Sequence, residues 1–169
     1  MLRTRRYSPL HWLSMSLAAA SMCLVITGTS WAMGVSGVGG RVGFTDPDAV
    51  DPTVTFGLHA ELEEPGSRLH FMPNVNFWSS NGVSNVNPNL DLYYHFERDN
   101  MMSPYLGAGL GLHVLNDDGD SSTDVGVNVL GGLSFPDASA TRRYYVEGRY
   151  TASDVNQIAL LTGITFGTR

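Results

Sequence analysis

The chain contains no lysine and a single cysteine, Cys23, which lies close to its N-terminus. Beyond that point there is no disulfide, no thiolate metal site and no cysteine nucleophile to be had. Met22 stands before Cys23 where a lipoprotein signal carries a small residue, so the cysteine is not read as a lipid anchor. Ten arginines face sixteen acidic residues, for a formal net charge of −6. A nucleic-acid partner is excluded on that balance, because phosphate binding needs a basic face. Long hydrophobic runs are lacking too. The most apolar stretch, Leu17 to Ile26, falls short of the ~20 residues of a membrane-spanning helix.

That stretch has another use. Arg3, Arg5 and Arg6 precede it, and Ser30-Trp31-Ala32 follows with the small-x-small pattern of a cleavage site. Charge, apolar core and small residues in that order predict a secretory signal peptide over residues 1–32, exported by the general route. Its removal leaves seven arginines against sixteen acidic residues, a charge of −9. Residues 33–169 suit one domain.

Period two dominates that domain. Val54, Phe56, Leu58, Ala60 and Leu62 are apolar, and Thr53, Thr55, Gly57, His59 and Glu61 alternate with them. Such alternation is a strand with one apolar and one polar face. Runs of this kind fall at about 35–44, 53–62, 69–78, 86–96, 104–114, 125–135, 143–151 and 157–166. Between them lie turn formers: Asp46-Pro47-Asp48, Glu64-Pro65-Gly66-Ser67, Ser80-Asn81-Gly82, Asp117-Asp118-Gly119-Asp120 and Pro136-Asp137. Eight runs of this length with short connections predict an all-β, eight-stranded, antiparallel up-and-down transmembrane barrel.

A soluble, lipocalin-like barrel with an apolar interior would also alternate. Three features favour the membrane. On the apolar face Phe44, Phe56, Phe77 and Tyr150 share one level, and Phe71, Tyr94, Phe96, Phe135, Tyr144 and Phe166 the other. Aliphatics such as Val42, Leu58, Val75, Leu90, Leu110, Val129, Val146, Leu160 and Ile164 lie between. Two aromatic belts around an aliphatic band are what the two interfaces of a bilayer select. The other face carries Gly37, Gly39, Gly43, Gly57, Gly107, Gly109, Gly111, Gly126, Gly132 and Gly163 beside Arg41, Asp91, Glu147 and Arg149. A narrow lumen needs small residues next to a few large ones. With the N-terminus periplasmic, the connections near 45–52, 79–85, 116–124 and 152–156 hold only acidic charges, whereas Arg68, Arg98 and Arg142 fall in the opposite turns. Two features strain the pattern. Pro73 and Pro88 interrupt strands and predict bulges or irregular pairing, and the glycine-rich first strand is weakly specified.

At Pro104-Tyr105-Leu106-Gly107-Ala108-Gly109-Leu110-Gly111 the chain resembles the OmpA/OmpX-type small barrels of the broad outer-membrane β-barrel domain family. Gly163-Ile164-Thr165-Phe166 resembles the family's C-terminal assembly signal, although Gly167-Thr168-Arg169 follows where the family ends on an aromatic. The resemblance implies residence in the cell outer membrane, contact with its lipid and passage through the barrel-assembly machinery. It implies little about activity, since such barrels serve as anchors, adhesins, resistance factors and occasionally enzymes.

Arg41, Asp91, Glu147 and Arg149 share the lumenal register near mid-strand, and opposite charges there are expected to pair into a network that plugs the barrel. The alternative is a gated ion pathway. Glu61, His70 and His95 would lie side by side at the periplasmic end, with His59 a step above, if the flanking turns centre near Pro65 and Gly82. Imidazole and carboxylate together ligate zinc or copper, so these three are the metal candidates, weighed against a hydrogen-bonded polar cluster. Asn116-Asp117-Asp118-Gly119-Asp120 lacks the EF-hand position of glycine and reads as a solvated acidic hairpin loop, with calcium as the alternative. The eight-stranded lipid A deacylases carry a His-x-Ser pair on the outer wall. Here His59, His70, His95 and His113 are followed two places later by Glu61, Met72, Glu97 and Leu115. The loops expected outside have no histidine for an acyltransferase. The reading is therefore a monomeric, non-enzymatic membrane barrel without a cofactor, serving envelope integrity.

Overall fold

The computed structural model describes residues 34–48, 50–64, 66–96, 102–117, 120–137 and 141–167. The expected signal peptide, Arg98, Asp118, Gly119 and the last two residues lie outside them. Eight strands follow one another: β1 (Gly34–Pro47), β2 (Thr53–Glu63), β3 (Leu69–Ser80), β4 (Val83–His95), β5 (Ser103–Asp117), β6 (Asp120–Pro136), β7 (Arg142–Ala152) and β8 (Gln157–Gly167). Each pairs antiparallel with the next, and β1 closes on β8 from Gly37↔Gly167 to Pro47↔Gln157. Closure leaves no edge strand around the wall. The end that carries Gly34 is called the near end below, and the end with the β1–β2 connection the far end.

Alternation sets which side chains point inward. Phe44, Leu58, Leu110 and Leu160 are 66, 67, 60 and 61% exposed on the outer wall, whereas Asp91, Asn128 and Glu147 are 0, 0 and 1% exposed in the lumen. Among the described residues most buried side chains are polar or charged, so the barrel is inside-out relative to a soluble protein. A lipocalin-like apolar interior is thereby replaced by its opposite.

The far-end turn between β3 and β4 is a two-residue hairpin, Ser80 facing Val83, with φ of 51° at Asn81 and 84° at Gly82. Both values belong to a type I′ turn, which Asn-Gly favours. At the near end the β2–β3 register places Glu63 opposite His70. This turn centres one residue later than a turn about Pro65 would, and that single step decides the fate of the proposed metal ligands.

Neither proline produces a bulge. Pro73 faces Leu90 and Pro88 faces Val75 in an unbroken β3–β4 ladder. On their other sides the pairing lapses and resumes in the same register, at His59↔Asn74 then Leu62↔Phe71, and at Val86↔Val114 then Asn89↔Gly111. Opposite Pro88, which has no N–H to give, the Leu112 carbonyl accepts instead from Asn87 Nδ2 at 2.9 Å. The one register shift in β1–β2 lies between Val35 and Gly37.

The glycine-rich β1 is also better specified than its composition suggests. A side chain at Gly39 would strike the His59 ring, and one at Gly57 would meet Arg41 and Asn76. The same holds elsewhere: a Cβ at Gly163 or Gly132 would sit 2.5 or 2.6 Å from the hydroxyls of Tyr145 and Tyr105. Large lumenal side chains lie over glycines of the neighbouring strand, so slipping the register by one pair puts bulk upon bulk.

Replacing Gly82 by alanine is expected to cost about 1–2 kcal/mol, the penalty for an L side chain in the left-handed region. Urea unfolding of protein refolded into lipid vesicles measures it, with Ser84→Ala on the adjoining strand as the unaffected control.

Candidate functional site

Arg41 on β1, Asp91 on β4 and Glu147 and Arg149 on β7 meet in mid-lumen. Arg149 Nη2 donates to Asp91 Oδ2 at 2.7 Å and to Glu147 Oε1 at 3.0 Å, and Arg149 Nε donates to the same Oε1 at 3.2 Å. Arg41 Nη1 lies 3.5 Å from Glu147 Oε1. Two guanidinium groups and two carboxylates sum to zero charge.

Amides and hydroxyls complete the cluster. Asn74 and Asn128 donate to the two Asp91 oxygens at 2.7 and 3.0 Å. Arg41 Nε donates to Asn76 Oδ1 at 2.8 Å, and Arg41 Nη2 donates to Asn74 Oδ1. Asn128 also donates to Asn89 at 2.8 Å and accepts from Thr151 at 2.8 Å. The hydroxyls of Tyr93 and Tyr105 both donate to Glu147 Oε2, at 3.2 and 3.1 Å. These two rings pack with Met72, Leu130 and Tyr145 as the one apolar cluster of the described lumen, beside the ionic centre. Charge, amide and ring lie side by side in mid-lumen.

The asparagines are a part of the site that the charges alone do not announce. Asn74 and Asn76 on β3, and Asn85, Asn87 and Asn89 on β4, recur every second residue in the register of Asp91, and all are buried. Strands disfavour asparagine, so an Asn-x-Asn-x-Asn run in a lumenal register is a legible sign of a polar interior. Tyr93, Tyr105 and Tyr145 follow from the same parity, as the inward neighbours of outward Tyr94, Leu106 and Tyr144.

The metal candidates do not assemble as a triad. With the turn centred one residue later, His70 Nδ1 stands 3.1 Å from Glu63 Oε2, and its ring lies 4.6 Å from that of His95. Glu61 points the other way, where it accepts from Arg143 Nη2 and, at 3.4 Å, from Thr165 Oγ1. His59 Nε2 and Thr165 Oγ1 are 2.9 Å apart. Among the described residues no group of three or more His, Cys, Asp or Glu side chains is placed to hold a metal ion. The near mouth instead forms a vestibule of about 150 Å³ lined by Glu61, Glu63, Arg142, Arg143 and Thr165 among others.

At the far end Trp78 Nε1 donates to Gln157 Oε1 at 3.2 Å across the lumen. Asn85 Nδ2 and His113 Nδ1 are 3.1 Å apart. Of the suggested cation loop, Asn116 and Asp117 pair with Ser121 and Asp120 in the β5–β6 ladder, so these residues continue a hairpin rather than forming an open loop. The aromatics assigned to two belts divide by exposure. Phe44, Phe56, Phe77 and Tyr150 toward the far end, and Tyr94, Phe96, Tyr144 and Phe166 toward the near end, are exposed on the wall, whereas Phe71 and Phe135 are half-buried.

Closed strands, an apolar wall and a polar bore define a small eight-stranded barrel of the outer-membrane type, OmpA/OmpX-like in fold. Solved structures agree. The chain is similar to Neisserial surface protein A (NspA), with a TM-score of 0.70 and 16% identity over 82% of this chain and 100% of that one. It is similar to the N-terminal β-barrel domain of Pseudomonas aeruginosa OprF at 0.63 and 16%, over 80% and 99% of the two chains. The outer membrane enzyme PagL follows at 0.50 and 18%, over 76% and 98%. At these identities the likeness is one of fold. No protein-family model and no curated protein sequence matches the chain.

Replacing Arg149 by methionine leaves Asp91 and Glu147 with Arg41 as their remaining cation. Breaking a buried pair on one side is expected to cost about 3–5 kcal/mol. The double variant Arg149→Met with Asp91→Asn restores neutrality and should recover a large part of it. Urea midpoints in lipid vesicles check both; equal midpoints for the two variants contradict the charge-balance account.

Proposed function

We propose that this protein is a non-enzymatic resident of the outer membrane, a monomer with a plugged lumen whose role is structural, in envelope integrity. The carrying observation is the wall. Large apolar side chains stand exposed on every strand around a closed barrel, far more apolar surface than a soluble monomer leaves in water. Lipid satisfies that surface, and the closed ladder satisfies the backbone within it. Export through the general secretory route and insertion by the barrel-assembly machinery follow from such a location.

The plugged reading is supported by the ionic centre and its amide shell, whose buried side chains meet across mid-lumen. A non-catalytic role is supported by where the histidines stand. His59, His70, His95 and His113 are all buried in the lumen, away from any lipid substrate on the wall. The enzyme among the similar structures shares the barrel, and a barrel of this kind carries no chemistry by itself.

Leu110→Arg tests the membrane directly. It places a cation mid-wall and is expected to cost about 2–4 kcal/mol in a bilayer, whereas a soluble barrel with the same residue in water would lose little. Refolding into vesicles followed by urea titration reads the difference. Membrane fractions run on gels with and without boiling should show a heat-dependent shift. Recovery in the periplasmic supernatant with no shift rejects the assignment, and steady large channels in planar bilayers reject the plug.

A further inference from the structure

The near mouth is built from charge of both signs. Going round the wall, Arg142 and Arg143 stand on β7, Thr165 on β8, Ser36 on β1, and Glu61 and Glu63 on β2. All six line the vestibule of about 150 Å³. Guanidinium groups thus flank it on one side and carboxylates on the other, with hydroxyls between. A deeper cavity, lined by Glu61, Arg143, Tyr93, Tyr105 and Tyr145 among others, measures about 10 Å³. That is room for a single water. Glu61 and Arg143 line both spaces, so their ion pair is the floor of the vestibule.

The two partners of that pair are unequally occupied. Glu61 is buried and engages both oxygens: Oε2 accepts from Arg143 Nη2, and Oε1 from Thr165 Oγ1 at 3.4 Å. Arg143 is only part-buried and engages Nη2 alone. Its Nε and Nη1 have no hydrogen-bond partner among the described residues. A guanidinium presents its N–H groups as a planar fork that grips a carboxylate through two parallel bonds. On the other side of the vestibule Glu63 Oε2 lies 3.1 Å from His70 Nδ1, and this carboxylate is 25% exposed. With about four acceptor sites, a carboxylate that meets an imidazole can still receive an ammonium.

These charges select a ligand. A lone anion on Arg143 would also meet Glu61 and Glu63, and a lone cation on Glu63 would also meet Arg143. A molecule that carries both charges close together meets each with its opposite. We propose that the near-mouth vestibule binds a free α-amino acid, its carboxylate on the open side of the Arg143 fork and its ammonium on Glu63. Size agrees with that occupant. A cavity of about 150 Å³ holds a benzene molecule, roughly six non-hydrogen atoms, and alanine has as many. The cavity below the ion pair is too small for it, so the ligand rests on the pair and is reached from the near end.

The test uses the whole isotope-labelled barrel in phospholipid nanodiscs, with L-alanine as the probe and NMR as the readout. Alanine should produce saturable shifts at Glu61, Glu63, Arg143 and Thr165 and none at the far end. Acetate and ethylamine, each with one of the two charges, should bind at least about tenfold more weakly, the worth of a hydrogen bond to a charged group. Arg143→Lys keeps the charge that Glu61 needs and removes the fork, and alanine binding should fall by a similar factor of about ten. Glu63→Gln should weaken alanine and leave acetate unchanged. An unchanged heat shift on gels shows that each variant is folded. No saturable shift with alanine overturns the proposal, as does acetate binding equally well or full affinity in Arg143→Lys. Phosphoethanolamine binding more tightly than alanine would assign the vestibule to a lipid headgroup and overturn it too.

Discussion

A charge buried inside a closed barrel is costly unless it is paired, and this protein places four such charges at mid-height. Arg41, Asp91, Glu147 and Arg149 are tolerable there only because they sum to zero and because each carboxylate oxygen meets a donor. Asp91 receives Arg149, Asn74 and Asn128, and Glu147 receives both arginines and two tyrosine hydroxyls. The strands that bear these groups are β1, β4 and β7, so the cluster ties together parts of the wall that are not neighbours in the sheet. The ladder holds adjacent strands; the ionic centre holds opposite ones.

The space for those groups comes from glycine. A lumen of eight strands has room for a tyrosine or an arginine only where the neighbouring strand gives up its own side chain. Gly57 yields to Arg41 and Asn76, Gly109 to Asp91, Gly132 to Tyr105 and Gly163 to Tyr145. Size complementarity and charge balance are thus one constraint. The bulky residues over these four glycines are charged, amide- or hydroxyl-bearing, and the empty positions are placed strand by strand to receive them. That mutual fit pins the register of strands whose composition alone would let them slide.

Much of this was readable in the sequence because period two is a strong signal. Strand number, the lumenal register of the four charges and the faces of the aromatics all follow from parity, which does not depend on knowing where a strand stops. What depended on turn centres was less accessible. Glu61 and His70 share a face, but a turn one residue later carries His70 to Glu63 and leaves Glu61 to Arg143. Parity survives such a step in neither partner's favour, so a triad inferred across a hairpin is only as good as its turn. The far ends of β5 and β6 escaped notice for a different reason. Asn116, Ser121, Ser122 and Thr123 are polar on both faces, so no alternation marks them, yet their backbones pair as regularly as the wall below. At the prolines the irregular pairing is there and the bulge is not. Each breaks pairing on one side, but Asn87 supplies a side-chain amide to Leu112 opposite Pro88, and the register continues.

The two ends of the barrel resolve their charge in different ways. At the near mouth carboxylates and cations are interleaved, with Glu61 on Arg143 and Glu63 on His70, so the rim is largely self-satisfied. At the far rim the described charges are all acidic, and their partners are amides and backbone N–H groups: Asn156 on Asp48, Asn81 on Asp51, and the N–H groups of Val125 and Asp154 on Asp124. Those bonds brace the loops against one another without neutralising them.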